Sequence, residues 1–163
     1  MTSRFNSRTV GFFLLAVLIL ILDQATKYFF DNSLVYGETH PVVQGFDLLL
    51  VYNTGAAFSF LSDAGGWQRW ILTGVSLVIS LILLVWLTRL QQHERLLGVA
   101  IALILGGALG NLVDRVLMGY VIDFISIYFQ QYRFATFNIA DSAISIGALL
   151  MALDIIRGKE AAK

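Results

Sequence analysis

Four long apolar runs follow one another along this chain, separated by shorter and more polar stretches. They cover residues of about 10–30, 67–88, 96–117 and 137–157. Each run approaches the roughly 20 apolar residues that a helix needs to cross a hydrocarbon core about 30 Å thick. Only 13% of the residues are charged, which is about half of the share usual in a soluble protein. The pattern therefore predicts a membrane α-helical fold, with four transmembrane helices in a single domain of residues 1–163.

Basic residues near the ends of the runs predict how the helices cross the membrane. Arg4 and Arg8 precede the first run, as in a secretory signal peptide, but no convincing cleavage site follows, so we expect a retained helix. If the four helices alternate in direction, most of the basic residues fall on one side, which should be the cytoplasmic side. These residues are Arg4, Arg8, Arg89, Arg95, Arg157, Lys159 and Lys163. Both termini are therefore predicted in the cytoplasm.

The stretch between the first two runs, at about 31–66, is too long for a tight turn. Its DLLLVYN is typical of a short strand, and its VYGETHPVVQG contains two glycines and the only proline of the chain. We expect a small β-rich element on the outer face of the membrane. Within it, NTGAAF at 53–58 combines a polar amide with small residues, which would let another chain approach closely. A plain loop turn would use similar residues.

Several polar residues inside the runs suit a structural role. Asp23 and Lys27 stand four apart in the first run, in the acid-before-base order that favours an ion pair. In the third run, Asn111, Asp114 and Arg115 follow at three- and four-residue spacings and project from one flank of a helix. Interhelical polar contacts of this kind contribute about 1 kcal/mol in membranes. We interpret Asp23, Lys27 and Asp114 as structural polar residues.

Two further aspartates are harder to explain as structural. Asp123 follows the third run within VIDFISIYF, and Asp141 lies at the start of the fourth run. Asn138 and Ser145 stand one turn before and one turn after Asp141, so a polar stripe follows that side of the helix. An ionised aspartate at the centre of a membrane helix costs roughly 2.5 to 3.5 kcal/mol, so such residues usually face a cavity or a partner. The short connection should bring both carboxyl groups near the outer face, within reach of each other.

Two apposed carboxyl groups in a partly dry site share a proton and titrate as a coupled pair. The ionised member can take a proton from water while the protonated member donates one, which is the aspartic route of peptide hydrolysis. Other nucleophiles fit less well, since the chain has no cysteine and its two histidines, His40 and His93, lie far apart. A carboxyl pair in a membrane could equally carry protons or cations. The residues alone leave a protease and a transporter equally open, and a structural subunit is a further alternative.

Five short blocks of the sequence, in order and over nearly its whole length, resemble the bacterial lipoprotein signal peptidases, also called signal peptidase II. They are DQATK at 23–27, NTGAAF at 53–58, GGALGNLVDR at 106–115, VIDF at 121–124 and FNIAD at 137–141. The resemblance implies an aspartic endopeptidase of the bacterial inner membrane, with its active site near the periplasmic face. It also implies a catalytic dyad of Asp123 and Asp141.

The same resemblance implies a substrate and a set of supporting residues. Members of the family cut diacylglyceryl-modified prolipoproteins on the amino side of the lipidated cysteine. The resemblance implies that seven residues of the blocks bind the substrate or support the dyad: Asn53, Gly55, Ala56, Asn111, Arg115, Asn138 and Ala140. We expect a monomer among membrane lipids, with no metal, no other cofactor and no nucleic-acid partner. Glycines in the segment around 64–66 would let the outer element close over the substrate.

Overall fold

The computed structural model describes residues 7–55, 66–91 and 93–161 of the chain. Within them, four helices and four strands follow one another. The helices are α1 (Ser7–Ser33), α2 (Trp67–Arg89), α3 (Arg95–Leu117) and α4 (Ile139–Ala161), and the strands are β1 (Thr39–Val43), β2 (Phe46–Asn53), β3 (Val121–Phe129) and β4 (Tyr132–Phe137). All four helices are long and apolar enough to cross a membrane, with mean hydropathies of 1.9 to 2.5. The four apolar helices predicted from the sequence are confirmed.

The strands form one antiparallel sheet in the order β1-β2-β3-β4. β1 and β2 lie in the stretch 31–66 that the sequence predicts to be β-rich. β3 and β4 lie between α3 and α4, in a connection for which the sequence predicts no strand. β3 begins with four buried residues, 121–124, and a strand buried on both faces lacks the polar alternation that marks a strand in a sequence.

α3 is the central helix of the bundle. It packs against α1, α2 and α4. About half of its residues are buried, whereas the other helices bury few of theirs. Glycines make this close packing possible. A Cβ at Gly106 would lie 2.6 Å from the carbonyl oxygen of Ala16 in α1, and one at Gly107 would overlap the carbonyl oxygen of Ala140 in α4. Small residues thus bring both neighbouring helices into backbone contact with α3.

The substitution Gly107→Ala is expected to destabilise the fold by about 1 to 3 kcal/mol, because the added methyl group has no space beside Ala140 and Ile144. Gly74→Ala is the matched control. Nothing lies within 4 Å of a Cβ at this exposed position of α2, so the change should be neutral or slightly stabilising. Thermal unfolding of both variants in detergent measures the difference, and equal stability would contradict the close packing of α3 on α4.

Candidate active site

Lys27 lies at the centre of a buried charged cluster between α1 and α3. Its ammonium nitrogen is 2.8 Å from Asp23 Oδ2 and 2.8 Å from Asp114 Oδ2. It also donates a hydrogen bond of 2.8 Å to Asn111 Oδ1. The three charged residues are at most 1% exposed. Because an uncompensated charge in a dry interior is costly, a buried ammonium group needs partners of this kind.

The two acids of this cluster also hold the backbone of neighbouring elements. Asp23 Oδ1 accepts a hydrogen bond of 2.9 Å from the backbone N–H of Ala140. Asp114 Oδ2 accepts one of 3.3 Å from the backbone N–H of Ile122. These two donors directly precede the two aspartates that the sequence suggests as a dyad. The charged cluster therefore fixes the backbone beside each of them.

Gln24 belongs to the same cluster, although the sequence predicts no role for it. Its Nε2 donates to Asp114 Oδ1 at 2.8 Å and to the carbonyl oxygen of Gly110 at 3.2 Å. Gln24 therefore donates to Oδ1 of Asp114, whereas Lys27 contacts Oδ2 of the same carboxylate. The signal that could have selected Gln24 is its position in DQATK, directly after Asp23.

Asp123 lies on β3 and is only 2% exposed. Both of its carboxyl oxygens accept hydrogen bonds from side-chain amides, Oδ1 from Asn138 at 2.7 Å and Oδ2 from Asn53 at 3.1 Å. Burial, and after it the charge of Asp141, raises the pKa of Asp123 to about 7, although the two amides and Lys27 oppose the shift. Asp123 can therefore hold a proton near neutral pH, where an ordinary aspartate is ionised.

Asp141 lies in the first turn of α4 and forms a reciprocal cap with Asn138. The backbone N–H of Asp141 donates to Asn138 Oδ1 at 2.9 Å, and the backbone N–H of Asn138 donates to Asp141 Oδ2 at 3.3 Å. Such a cap satisfies N–H groups that the start of a helix leaves unpaired. The other carboxyl oxygen accepts a hydrogen bond of 2.8 Å from Asn111 Nδ2. These donors, together with the start of the helix, stabilise a carboxylate at this position.

Two asparagines connect the charged cluster to the two aspartates. Asn111 Oδ1 accepts from Lys27 at 2.8 Å and from Asn138 Nδ2 at 3.2 Å. The amide nitrogen of Asn111 then donates to Asp141, and that of Asn138 donates to Asp123. Each amide oxygen thus faces donors and each amide nitrogen faces acceptors, which fixes the orientation of both side chains. A continuous hydrogen-bonded path leads from Lys27 to both carboxyl groups.

A cavity of about 500 Å³ lies between the sheet, α3 and α4, and both carboxyl groups line it. Asn53, Asn111 and Arg115, which the sequence also suggests as site residues, line it as well. Asn138 and Ala140 are buried instead, with no exposed surface. The other lining residues are Val121, Ala135, Thr136, Phe137, Ser142, Ile144, Ser145 and Ile146. The lining residues that belong to β4 could not be recognised as site residues from the sequence, because the sequence does not predict this strand.

Hydrogen bonds join the start of NTGAAF, residues 53–55, to residues that line the cavity. Gly55 donates its backbone N–H to Asn53 Oδ1 at 3.0 Å, and its carbonyl oxygen accepts from Arg115 Nη2 at 3.3 Å. Ala56 lies outside the described residues, and so do positions 64–65 of the segment expected to close over the site. Arg115 and Asn53 therefore connect the start of the outer segment to the cavity.

The cavity offers two carboxyl groups in different surroundings. Burial raises the pKa of Asp123 to about 7, whereas Asp141 accepts hydrogen bonds from Asn111 and from the backbone N–H of Asn138. Such a pair can take a proton from water with one member and donate a proton with the other. Within residues 7–55, 66–91 and 93–161, no group of three or more His, Cys, Asp or Glu side chains could hold a metal ion.

Comparisons with known proteins agree with a membrane enzyme. A solved structure described as a bacterial membrane enzyme superposes on this chain with a TM-score of 0.84 at 32% identity, over 94% of this chain and 92% of that one. A second structure of the same description gives a TM-score of 0.76 at 34% identity, over 89% and 92% of the two chains. The fold is therefore that of a membrane enzyme. A family model described as signal peptidase (SPase) II matches residues 15–157, and the chain belongs to this family.

Relatives from individual bacteria give the same result. The chain is 51% identical to the lipoprotein signal peptidase of Ectopseudomonas mendocina over 164 residues, which cover 99% of this chain and 96% of that protein. It is 49% identical to the lipoprotein signal peptidase of Pseudomonas putida over 148 residues, or 90% and 86% of the two chains. The family suggested by the five sequence blocks is therefore confirmed.

Proposed function

We propose that this protein cuts diacylglyceryl-modified prolipoproteins on the amino side of the lipidated cysteine, with Asp123 and Asp141 as its catalytic dyad. Membership of the signal peptidase II family supports the broader activity, which is removal of signal peptides from prolipoproteins. The observation that carries the finer proposal is that both carboxyl groups line one cavity and accept hydrogen bonds from oriented amides. The cavity volume lies within the usual range for ligand sites.

The reaction begins with a water molecule between the two carboxyl groups. Asp123 holds the shared proton, as its raised pKa suggests, and Asp141 is ionised. The Asp141 carboxylate takes a proton from the water as the water oxygen bonds to the scissile carbonyl carbon. At the same time the Asp123 proton moves to the carbonyl oxygen, which becomes a hydroxyl group. The product of this step is a neutral tetrahedral diol.

The diol then breaks down by the reverse movement of the two protons. Asp141 gives the proton that it took from water to the amide nitrogen of the cysteine, and the carbon–nitrogen bond breaks. One hydroxyl group of the diol returns its proton to Asp123 as the carbonyl double bond forms again. The products are the signal peptide with a new carboxyl terminus and the lipoprotein with a free amine on its lipidated cysteine. Both aspartates end in their starting states.

The other site residues act through position. Asn53, Asn111 and Asn138 keep the carboxyl oxygens in place by hydrogen bonds. Arg115 and Gly55, joined by one hydrogen bond, position the substrate backbone. Ala56, which follows Gly55 in the sequence, and Ala140, which precedes Asp141, also have supporting roles in the site. Asp23, Lys27 and Asp114 serve as the structural scaffold. Burial and contacts support this division. Asp23, Lys27 and Asp114 are buried, whereas Asn53, Asn111 and Arg115 line the cavity. Asn138 is buried as well, but it donates a hydrogen bond directly to Asp123.

The protein is placed in the bacterial inner membrane, with both termini in the cytoplasm and the sheet and cavity toward the periplasm. The excess of basic residues at one set of helix ends supports this orientation. Trp67 and Trp70, at the start of α2, are 51% and 69% exposed, as suits aromatic residues at a membrane interface. Because one chain supplies the cavity lining, we propose that the enzyme acts as a monomer.

The proposal is tested by mass analysis of the products that the purified enzyme releases in detergent. A diacylglyceryl-modified prolipoprotein is compared with the same chain carrying an unmodified cysteine. The expected result is a single cut of the modified chain, giving a lipoprotein that begins with the lipidated cysteine, and little cutting of the unmodified chain. A cut at another bond, or equal cutting of both chains, would show that the lipidated cysteine does not direct the reaction.

The rate of cleavage is expected to fall as the pH rises above about 7, because Asp123 must be protonated to act as the acid. Its pKa is raised, so the protonated form is complete well below about 7 and is lost as the pH passes through that value. Above it, kcat/KM should fall about tenfold per pH unit. The measurement is kcat/KM across the neutral and alkaline range, with unfolding followed in parallel as the control. A rate that continues to rise through the alkaline range would contradict this role of Asp123.

A further inference from the structure

A second cavity, of about 260 Å³, adjoins the first cavity at the dyad. The two cavities share Asn53, Asp123, Ala135 and Thr136. Arg133, on β4, lines only the second cavity. A bound chain that passes Asp123 can therefore enter one cavity on one side of the carboxyl group and the other cavity on the other side.

The two cavities differ in their chemistry. The first continues along α4 past Ile144 and Ile146, and Ile146 is 53% exposed. The second contains the guanidinium group of Arg133 and lies along the sheet. One side of the dyad thus suits apolar groups that stay in the membrane, and the other side suits polar groups.

Arg133 is held in place by buried partners. Its Nη1 donates to Ser126 Oγ, and its Nη2 is 3.3 Å from Asp47 Oδ2. Ser126 has no exposed surface and Asp47 is 4% exposed, whereas the Arg133 side chain is 35% exposed. A guanidinium group carries more N–H donors than these two bonds use. Arg133 can therefore offer donors to a bound chain from a fixed position.

We propose that the second cavity is the subsite for the polypeptide that follows the lipidated cysteine, and that Arg133 favours an acidic over a basic residue there. The inference rests on the proposed function. An endopeptidase must hold its substrate on both sides of the scissile bond. The signal peptide and the acyl chains are apolar and match the cavity along α4. The polypeptide after the cysteine leaves the membrane, and the polar cavity beside Asp123 receives its first residues.

The expected preference is modest, because Asp47 already neutralises part of the Arg133 charge and the group is partly exposed. Interactions between exposed charges are worth up to about 1 kcal/mol, which corresponds to about fivefold in kcat/KM. Two diacylglyceryl-modified prolipoproteins are compared in detergent, identical except for glutamate or lysine at the first positions after the cysteine. The wild-type enzyme should prefer the glutamate substrate about fivefold, and Arg133→Glu should reverse the preference.

Three further variants keep the test decisive. Arg133→Lys should retain the preference for glutamate, and Arg89→Glu, at the far end of α2, should leave it unchanged. Arg133→Gln combined with Asp47→Asn removes both charges, so it avoids an unpaired buried carboxylate, and it should cut both substrates equally. Equal cutting by the wild type, or a preference that survives the loss of Arg133, would overturn the subsite. If the wild type cut neither substrate, the proposed function itself would fail.

Discussion

The variants Asp123→Asn and Asp141→Asn are each expected to lower kcat by at least about 10³-fold, because an amide can neither take a proton from water nor supply one to the carbonyl oxygen. Asparagine has nearly the same shape as aspartate, and each carboxyl group already contacts amide and backbone donors. The fold should therefore survive the change with a moderate loss of stability. The measurement is the turnover of a diacylglyceryl-modified prolipoprotein by variants whose thermal unfolding remains cooperative.

A matched control is available on the same helix. Asp154 lies further along α4, is partly exposed and does not line the cavity, so Asp154→Asn should retain the wild-type rate. Comparable losses in Asp141→Asn and Asp154→Asn would point to a general effect of charge on α4. Wild-type turnover by either Asp123→Asn or Asp141→Asn would place the chemistry elsewhere.

The variant Lys27→Met is expected to destabilise the protein by about 3 to 5 kcal/mol, since it leaves Asp23 and Asp114 buried without their cation. It also removes one of the two donors that hold Asn111 Oδ1, the other being Asn138 Nδ2. Cleavage should therefore fall in the variant even below its unfolding temperature. Unfolding in detergent, followed by thermal melting, measures the loss of stability, and turnover at a temperature where the variant is folded measures the loss of activity.

A variant that removes all three charges shows how much of the lost stability comes from unpaired charge and how much from lost packing. Lys27→Met combined with Asp23→Asn and Asp114→Asn removes the cation together with both buried carboxylates. It should recover a substantial part of the lost stability, because replacing all charges of a buried cluster costs less than removing one partner. Stability of the single variant equal to that of wild type would show that the three side chains do not carry opposite charges in the folded protein.

The helices and the charged pair could be predicted from local patterns. Long apolar runs define α1 to α4 whatever their packing, and the four-residue spacing of Asp23 and Lys27 places them together on α1. The free-energy cost of a carboxylate in a membrane helix marks Asp141 as a candidate site residue from the sequence alone. Each of these inferences depends on residues close together in the sequence.

The sheet and the second cavity could not be predicted in the same way. The first residues of β3, at 121–124, are apolar except for Asp123 and buried, so the sequence gives no alternation by which to recognise a strand. In the sequence Arg133 falls in the connection between two apolar runs, whereas in the structure it contacts Asp47 and Ser126 across the sheet. Likewise, Gln24 acquires its role only when α1 packs against α3. The strand β3 and the roles of Arg133 and Gln24 all depend on packing between segments that are distant in the sequence.

In the proposed mechanism, Asp123 and Asp141 act as one unit on one water molecule. The most direct test is the rate of cleavage of a single diacylglyceryl-modified prolipoprotein by the wild type, by Asp123→Asn, by Asp141→Asn and by the double variant. The double variant is expected to be no slower than either single variant, because the loss of one carboxyl group already disables the pair. If the two losses multiply, or if either single variant keeps the wild-type rate, the two carboxyl groups do not form a catalytic dyad.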